Sequence, residues 1–381
     1  MSETALKLAQ DLIRCPSVTP KTEGVYDVLK SALEPMGFDC HVLTFKGFEG
    51  AEITNLFARK GTGAPHFCFA GHVDVVPVGD DAAWTSPPFA AEIKDDRLYG
   101  RGTSDMKGAV AAFIAAVQDF LNQNAEFDGS ISLLIAGDEE GTGAVGTKDT
   151  LKWLEARDEI PDMCLVGEPT NPNLLGEMIK IGRRGSITGR LKVTGTQGHA
   201  AYPHLADNPV PKMIDLLGAM KSIEFDQGSE FFQATNLEIV SVDVGNTADN
   251  VIPAHASALF NVRFNDLHSS QDIIEAIDAA LKPLKHPHSI AWHCSGESFL
   301  TQPGFLSDTV SKAVAEATGR TPDLTTTGGT SDARFISQYC PVVEFGGVGQ
   351  TMHKVDENIL LDDLDALTDI YGHILKTIFN S

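Results

Sequence analysis

His72 and Asp74 stand two residues apart in FAGHVDVVP, at the end of an apolar run. Side chains alternate along a strand, so this spacing puts both on one face, where one can ligate a metal while the other orients it. Alone, the pair is an ordinary strand-end motif. Asp105 lies in GRGTSDMKGA, where glycines and small residues permit unusual backbone geometry before a helix expected from about Lys107. By itself it reads as an acidic residue favoured at a helix N-terminus. Glu139 and Glu140 follow SISLLIAG within DEEG, and two adjacent carboxylates can take different tasks, one holding metal and one moving protons. Glu168 ends the apolar run of CLVGEPT, and His353 falls in GQTMHKVDE just after PVVEFGG. Each has a bland explanation in a solvated loop or a strand terminus. Together they are more specific, because imidazoles and carboxylates recur at strand ends that an α/β fold gathers in space.

Two histidines and three carboxylates suit two zinc ions, with His72 and Glu168 on one, Glu140 and His353 on the other, and Asp105 bridging. Such pairs sit about 3.5–4 Å apart and activate a shared water. Carboxylate-rich sites also accept cobalt or manganese. Asp74 is then the carboxylate that fixes the tautomer of His72.

The elements that must position these groups follow from periodicity. Helical spacing appears near residues 5–14, 23–36, 108–124 and 146–156, with strand-like runs NLFARK, HFCFAGHVDVV, SISLLIAGD and DMCLVG between them. This alternation predicts an α/β domain with a mixed, largely parallel sheet flanked by helices. From about 179 to 294 the texture becomes β-rich, as in SITGRLKVTG and HASALFNVRF, with helices near 207–221 and 270–282. The rest returns to the first texture, with helices near 304–318 and 362–379 around the strand PVVEFG. The expected division is therefore 1–178 with 295–381 as a catalytic domain, and 179–294 as an inserted α+β domain.

With 29 basic and 52 acidic side chains, the net charge is −23, which argues against nucleic acid and anionic membranes as partners. The six cysteines show no CxxC pairing, so neither a disulfide framework nor a thiolate zinc site is expected. No apolar run approaches the roughly 18–20 residues of a membrane span, and MSETALKLAQDLIRC reads as an amphipathic helix, which predicts a cytoplasmic protein.

GHVDVVP, GRGTSDMKGA, DEEG, GEPT and TMHKVDE, in this order and over almost the whole chain, resemble the M20 family of dinuclear zinc amidohydrolases and peptidases. The resemblance implies a zinc-exopeptidase-like catalytic domain, the five ligands assigned above and Glu139 as general base. It also implies that the insert is a lid that forms a homodimer. His199, in GTQGHAAYPH, would then reach the partner subunit's site to support an oxyanion; its ordinary reading is a turn histidine. Within the family, IKIGRRGSITGRLKVTGTQGHAAYPHLADNP, NVIPA and GGTSDARF are most similar to the branch acting on N-succinyl-LL-2,6-diaminopimelate in lysine and diaminopimelate biosynthesis.

That substrate carries three carboxylates, which an acidic protein repels unless cations are aimed at it. Arginine forks suit carboxylates, making Arg183, Arg184 and Arg263 the candidates, with Asn250, Ser295, Gly329 and Thr330 carried over by motif match. For each arginine a surface salt bridge is the competing role. Gly349 departs from the family pattern, which often has Asn four residues before the last histidine. The alternatives are an acetylornithine deacetylase, aminoacylase or dipeptidase of the same family, and a binding homologue without catalysis.

Overall fold

The computed structural model describes residues 3–47, 50–141, 143 and 145–379. The chain forms two compact units, one of Met1–Ile181, Thr301–Thr325 and Ser331–Ser381, the other of Gly182–Leu300 and Thr326–Thr330.

The first unit is built on an eight-stranded sheet, in the order Asp39–Lys46, Glu52–Gly61, Ser130–Ala136, His66–His72, Met163–Val166, Val342–Glu344, Met178–Lys180 and Asp323–Thr325. Its four central strands, from Ser130–Ala136 to Val342–Glu344, are mutually parallel, and the edges are antiparallel except for the last pair. Every residue of Ser130–Ala136 and of His66–His72 is buried. Continuous burial requires cover on both faces, and helices supply it. Gly108–Gln123 buries every residue from Gly108 to Val117 as well as Phe120, and packs against Leu361–Phe379. Phe69 of the sheet stacks on Phe113 at 4.3 Å, and Tyr371 meets both rings edge-on at 5.5 and 5.8 Å. The Tyr371 hydroxyl satisfies its buried polarity by donating to the Phe345 carbonyl at 2.9 Å. Truncating a phenylalanine in such a cluster costs about 3–5 kcal/mol, so the strand that ends in His72 is firmly held.

The second unit is a four-stranded antiparallel sheet, in the order Asn236–Asp243, His255–Phe264, Gly185–Thr194 and His288–Gly296. Burial alternates strictly along His255–Phe264, and its inward residues Ala258, Phe260, Val262 and Phe264 meet Met213 and Leu216 of helix Pro209–Lys221 and Ile273 and Ile277 of helix Ser270–Leu281. Ser269 starts the latter helix with a reciprocal capping box to Asp272. This unit begins and ends a few residues beyond the 179–294 segment expected from the sequence texture. It also includes Thr326–Thr330, because Arg183 Nη1 donates to the Gly329 carbonyl at 2.9 Å and Thr326 Oγ1 to the Phe231 carbonyl. Such returns of the chain leave no mark in composition. Among the described residues no helix is long and apolar enough to cross a membrane.

Candidate functional site

The parallel strands deliver their carboxyl ends to one edge of the sheet, and the polar residues follow there. His72 is the last residue of its strand, Asp138–Glu140 follow Ser130–Ala136, and Glu168 follows Met163–Val166. Asp105 comes from the irregular turn Thr103–Lys107 ahead of the central helix, and His353 from the loop after Val342–Glu344. His353 holds φ at +61°, a left-handed conformation uncommon for a residue with a side chain and typical of constrained functional positions.

Asp105 is the centre of the group. Its Oδ1 lies 3.1 Å from His72 Nε2 and its Oδ2 lies 3.3 Å from His353 Nε2. His72 Nε2 is also 3.8 Å from Glu168 Oε1, while His353 Nε2 is 2.8 Å from Glu140 Oε1. Ligand atoms about 2.1 Å from a tetrahedral ion stand about 3.4 Å apart, so these four separations bracket what two adjoining coordination shells need. Ligand atoms of His72, Asp105 and Glu140 come within 4.8 Å of one another, as do those of His72, Glu139 and Glu168. The second grouping offers Glu139 as a ligand, but neither His72 nor His353 hydrogen-bonds to it, and both bond to other carboxylates.

His72 Nδ1 sits 2.9 Å from the Asp74 backbone carbonyl, whereas the Asp74 carboxylate is 3.6 Å away. A carbonyl only accepts, so the short contact requires the proton on Nδ1 and turns Nε2 toward Asp105 and Glu168, where it donates to Asp105 as the imidazolium and would offer its lone pair to a cation. The carbonyl thus takes part of the orienting role expected of the carboxylate. The carboxylate oxygens accept instead from the backbone N–H groups of Glu139 at 3.2 Å and Glu140 at 3.1 Å, fixing the loop that carries both glutamates.

Charge density is the other mark of the site. Burial pushes Asp74 up to about 6 against the pull of His72, and burial with nearby acids pushes Glu139 up to about 8. Burial, then Asp105 and Glu139, raise Glu168 well above the carboxylate range, and burial with Asp332 and Asp74 brings Asp138 to about 7. Burial opposes the charge on Asp105, yet the hydrogen bonds from His353 and His72 prevail and hold it low. The bonds to Asp105 and then Glu140 raise His353 to about 10. Two imidazoles are too few for this many carboxylates, and such a surplus is relieved when divalent cations join it. The donor set of nitrogen and oxygen suits zinc and equally cobalt or manganese.

The remaining sequence candidates lie in the second unit. Arg184 Nη1 donates to Asn236 Oδ1 at 3.0 Å and Arg263 Nε to Asn261 Oδ1 at 2.9 Å, and neither has a carboxylate partner among the described residues. Burial and then the charge of Arg263 lower the Arg184 pKa, so two like charges share this end of the sheet. Ser295 falls at the bulge that shifts register between Ser186 and Ile187 of the adjoining strand. Arg183 is directed to the 327–330 loop through the Thr327 and Gly329 carbonyls, while Thr330 is only partly buried. His199 is exposed, pairs with Val251 in a two-residue ladder, and lies beside Asn250, whose carbonyl accepts from Ala200 N–H at 2.8 Å.

Two residues that positional reasoning passed over are Arg101 and Glu357, buried beside the Asp105 turn. Glu357 Oε1 accepts from the backbone N–H groups of Ser104 at 2.9 Å and Asp105 at 3.0 Å. Each stands four residues from a ligand candidate within a quoted motif, but that spacing does not disclose the contact between them.

The chain resembles known proteins along its whole length. Residues 68–377 match the sequence profile of peptidase family M20/M25/M40. The succinyl-diaminopimelate desuccinylase of Rhodospirillum centenum is 55% identical, covering 100% of this chain and 98% of that one. Among solved structures, aminopeptidase PepT from Bacillus cereus superposes with a TM-score of 0.79 at 19% identity, covering 99% of both chains. The YXEP protein of Bacillus subtilis, described as a dinuclear metal binding peptidase from the M20 family, superposes with a TM-score of 0.69 at 14% identity, covering 99% of this chain and 98% of that one. This chain belongs to peptidase family M20/M25/M40, a family of metal-dependent hydrolases.

Proposed function

We propose that the chain hydrolyses the succinyl amide of N-succinyl-LL-2,6-diaminopimelate, releasing succinate and LL-2,6-diaminopimelate. The observation that carries the chemistry is the division of the Asp105 carboxylate between His72 and His353, one oxygen to each. The choice of substrate rests on the 55% identity to a desuccinylase over the full length.

In this reading His72 and Glu168 would hold one divalent cation and Glu140 and His353 a second, with Asp105 serving both; zinc is the ion we assign, two per subunit. When bound, such a pair supplies Lewis acidity and lowers the pKa of a shared water. Glu139 takes a proton from the attacking water as the new C–O bond forms at the succinyl carbonyl. It returns that proton to the leaving nitrogen as the C–N bond breaks, so the water is divided between amine and acid. A general base works best with a pKa near the operating pH, and the charge of bound cations would draw the raised pKa of Glu139 back down, leaving the carboxylate free to accept the proton. Asp74 keeps Glu139 in place through the backbone.

Arg184 and Arg263, with no acidic partner among the described residues, are the anchors for substrate carboxylates, with Ser295 on the strand adjoining Gly185–Thr194. Arg183 supports the loop that carries Gly329 and Thr330. We assign the second unit as a lid and homodimer interface, with His199 and Asn250 serving the partner subunit's site. A cytoplasmic setting accords with this chemistry.

The test is release of amine from N-succinyl-LL-2,6-diaminopimelate compared with N-acetylornithine. At least a hundredfold preference for the succinyl substrate is expected. Preference for acetylornithine would keep the chemistry and move the substrate, and turnover of neither would overturn the proposal.

A further inference from the structure

Arg101 is only 2% exposed, and its guanidinium spans three loops. Nη1 donates to Glu357 Oε2 at 2.7 Å and to the Lys354 carbonyl at 3.1 Å, while Nη2 donates to the Pro77 carbonyl at 3.3 Å. The Trp84 ring lies 5.3 Å from the guanidinium carbon, and its own Nε1 donates to the Val78 carbonyl. Glu357, with no exposed surface, gives its other oxygen to the backbone N–H groups of Ser104 and Asp105. The segments so joined are the one that follows His72 and Asp74, the one that carries Asp105 and the one that carries His353.

Loops can be held by apolar packing, and a buried ion pair is a poor choice for stability because desolvation opposes the attraction. Its advantage is geometric: a fork and a carboxylate fix direction as well as distance. One carboxylate here sets the backbone of Asp105 while standing four residues from His353. Asp105 in turn offers one oxygen to each side of the site. A shift of Glu357 therefore displaces both halves together.

We propose that the buried Arg101–Glu357 pair is a positioning device that locks these three loops into one geometry and sets the affinity of both cation positions jointly. The inference rests on the reading of His72, Asp105 and His353 as metal ligands.

The experiment is stepwise zinc binding to chelator-stripped protein, measured by competition with a fluorescent zinc chelator, alongside the unfolding temperature of the metal-free protein. The proteins are wild type, Glu357→Gln, Arg101→Lys and, as ligand controls, His72→Ala and His353→Ala. Glutamine cannot accept from two amides and from Arg101 at once, and lysine keeps the buried charge but cannot span Glu357, Lys354 and Pro77. Removing groups that support metal ligands weakens binding by about 10–100-fold, and that loss is expected at both positions in each variant. A purely structural pair would lower the unfolding temperature and leave both zinc affinities within about twofold of wild type, which overturns the proposal. Loss at one position alone overturns the joint action. Should Glu357→Gln not fold, Arg101→Lys decides by the same criteria. If wild type binds no zinc, or the ligand controls bind as wild type does, the site assignment fails. If wild type and controls behave as assigned and the two variants match wild type, only the positioning role fails.

Discussion

Replacing Glu139 with glutamine exchanges one oxygen for an amide nitrogen at nearly constant shape. The local backbone should not respond, because the Asp74 carboxylate holds the main-chain N–H groups of residues 139 and 140 at 3.2 and 3.1 Å, independent of the side chain. The five assigned ligands are untouched, and neither imidazole bonds to Glu139, so metal content should stay within about a tenth of wild type. What disappears is the only function assigned to this side chain, accepting and returning a proton. General acid–base groups contribute about 10²–10⁴ in rate, or about 3–5 kcal/mol of barrier at 1.36 kcal/mol per tenfold. The assay is kcat and KM for succinyl-amide hydrolysis, with zinc content measured on the same sample. The expected result is a fall in kcat of at least a hundredfold with KM changed by less than about threefold, as fits a group acting mainly in the transition state. Survival of more than a tenth of the activity would place the base elsewhere. Loss of one zinc equivalent would mean that the grouping of His72, Glu139 and Glu168 is the ligand set and that the base assignment is wrong.

Asp105→Asn should weaken both cation positions at once, since each histidine faces a different oxygen of that carboxylate, and calorimetric zinc titration that still shows two tight sites would refute the bridging role. Arg184→Ala and Arg263→Ala should each raise KM for the succinyl substrate by about 10–100-fold, the loss of one charged hydrogen bond of about 1.5–3 kcal/mol, with kcat little changed; KM within twofold would make these arginines structural. Away from the site, His66 is buried at the start of its strand against Ser132 Oγ, and burial with the nearby charge of Arg59 lowers its pKa from 6.5 to about 4. Its unfolded form takes up the proton first, so its contribution to stability is intact above pH 6.5 and is lost as pH falls toward 4, by about 3 kcal/mol in all. Urea unfolding of His66→Gln should lose less stability than wild type between pH 7 and 5, and identical slopes would exclude the effect.

Much of the first unit was legible because strong periodicity coincides with burial. The predicted helices at 108–124 and 362–379 appear as Gly108–Gln123 and Leu361–Phe379, and the apolar runs ending in His72, Ala136 and Val166 are central strands. The strand Asp39–Lys46 was not singled out, since it is an edge strand whose residues are all at least partly exposed, which leaves a weak apolar signal. Asp74 shows another limit: an i, i+2 spacing puts two side chains on one face but does not reveal that a backbone carbonyl, not the carboxylate, makes the short bond to His72. The roles of Arg101 and Glu357 depend on contacts across more than 250 residues, 256 for their ion pair, and no local pattern encodes them. That Arg184 and Arg263 have no carboxylate partner among the described residues is likewise a property of neighbours in the fold, whereas their motif alone left a salt bridge as an equal reading.

We assign to the carboxylates and imidazoles around Asp105 two divalent cations that serve to hydrolyse a succinyl amide. The most direct test of this assignment is to strip the protein with a chelator, add zinc in measured equivalents, and follow bound zinc and hydrolysis of N-succinyl-LL-2,6-diaminopimelate in the same samples. Turnover should be negligible without metal, rise as zinc binds and level off at two equivalents per chain. Full activity in the stripped protein, or a plateau reached with no zinc bound at the His72 and His353 positions, would contradict the assignment.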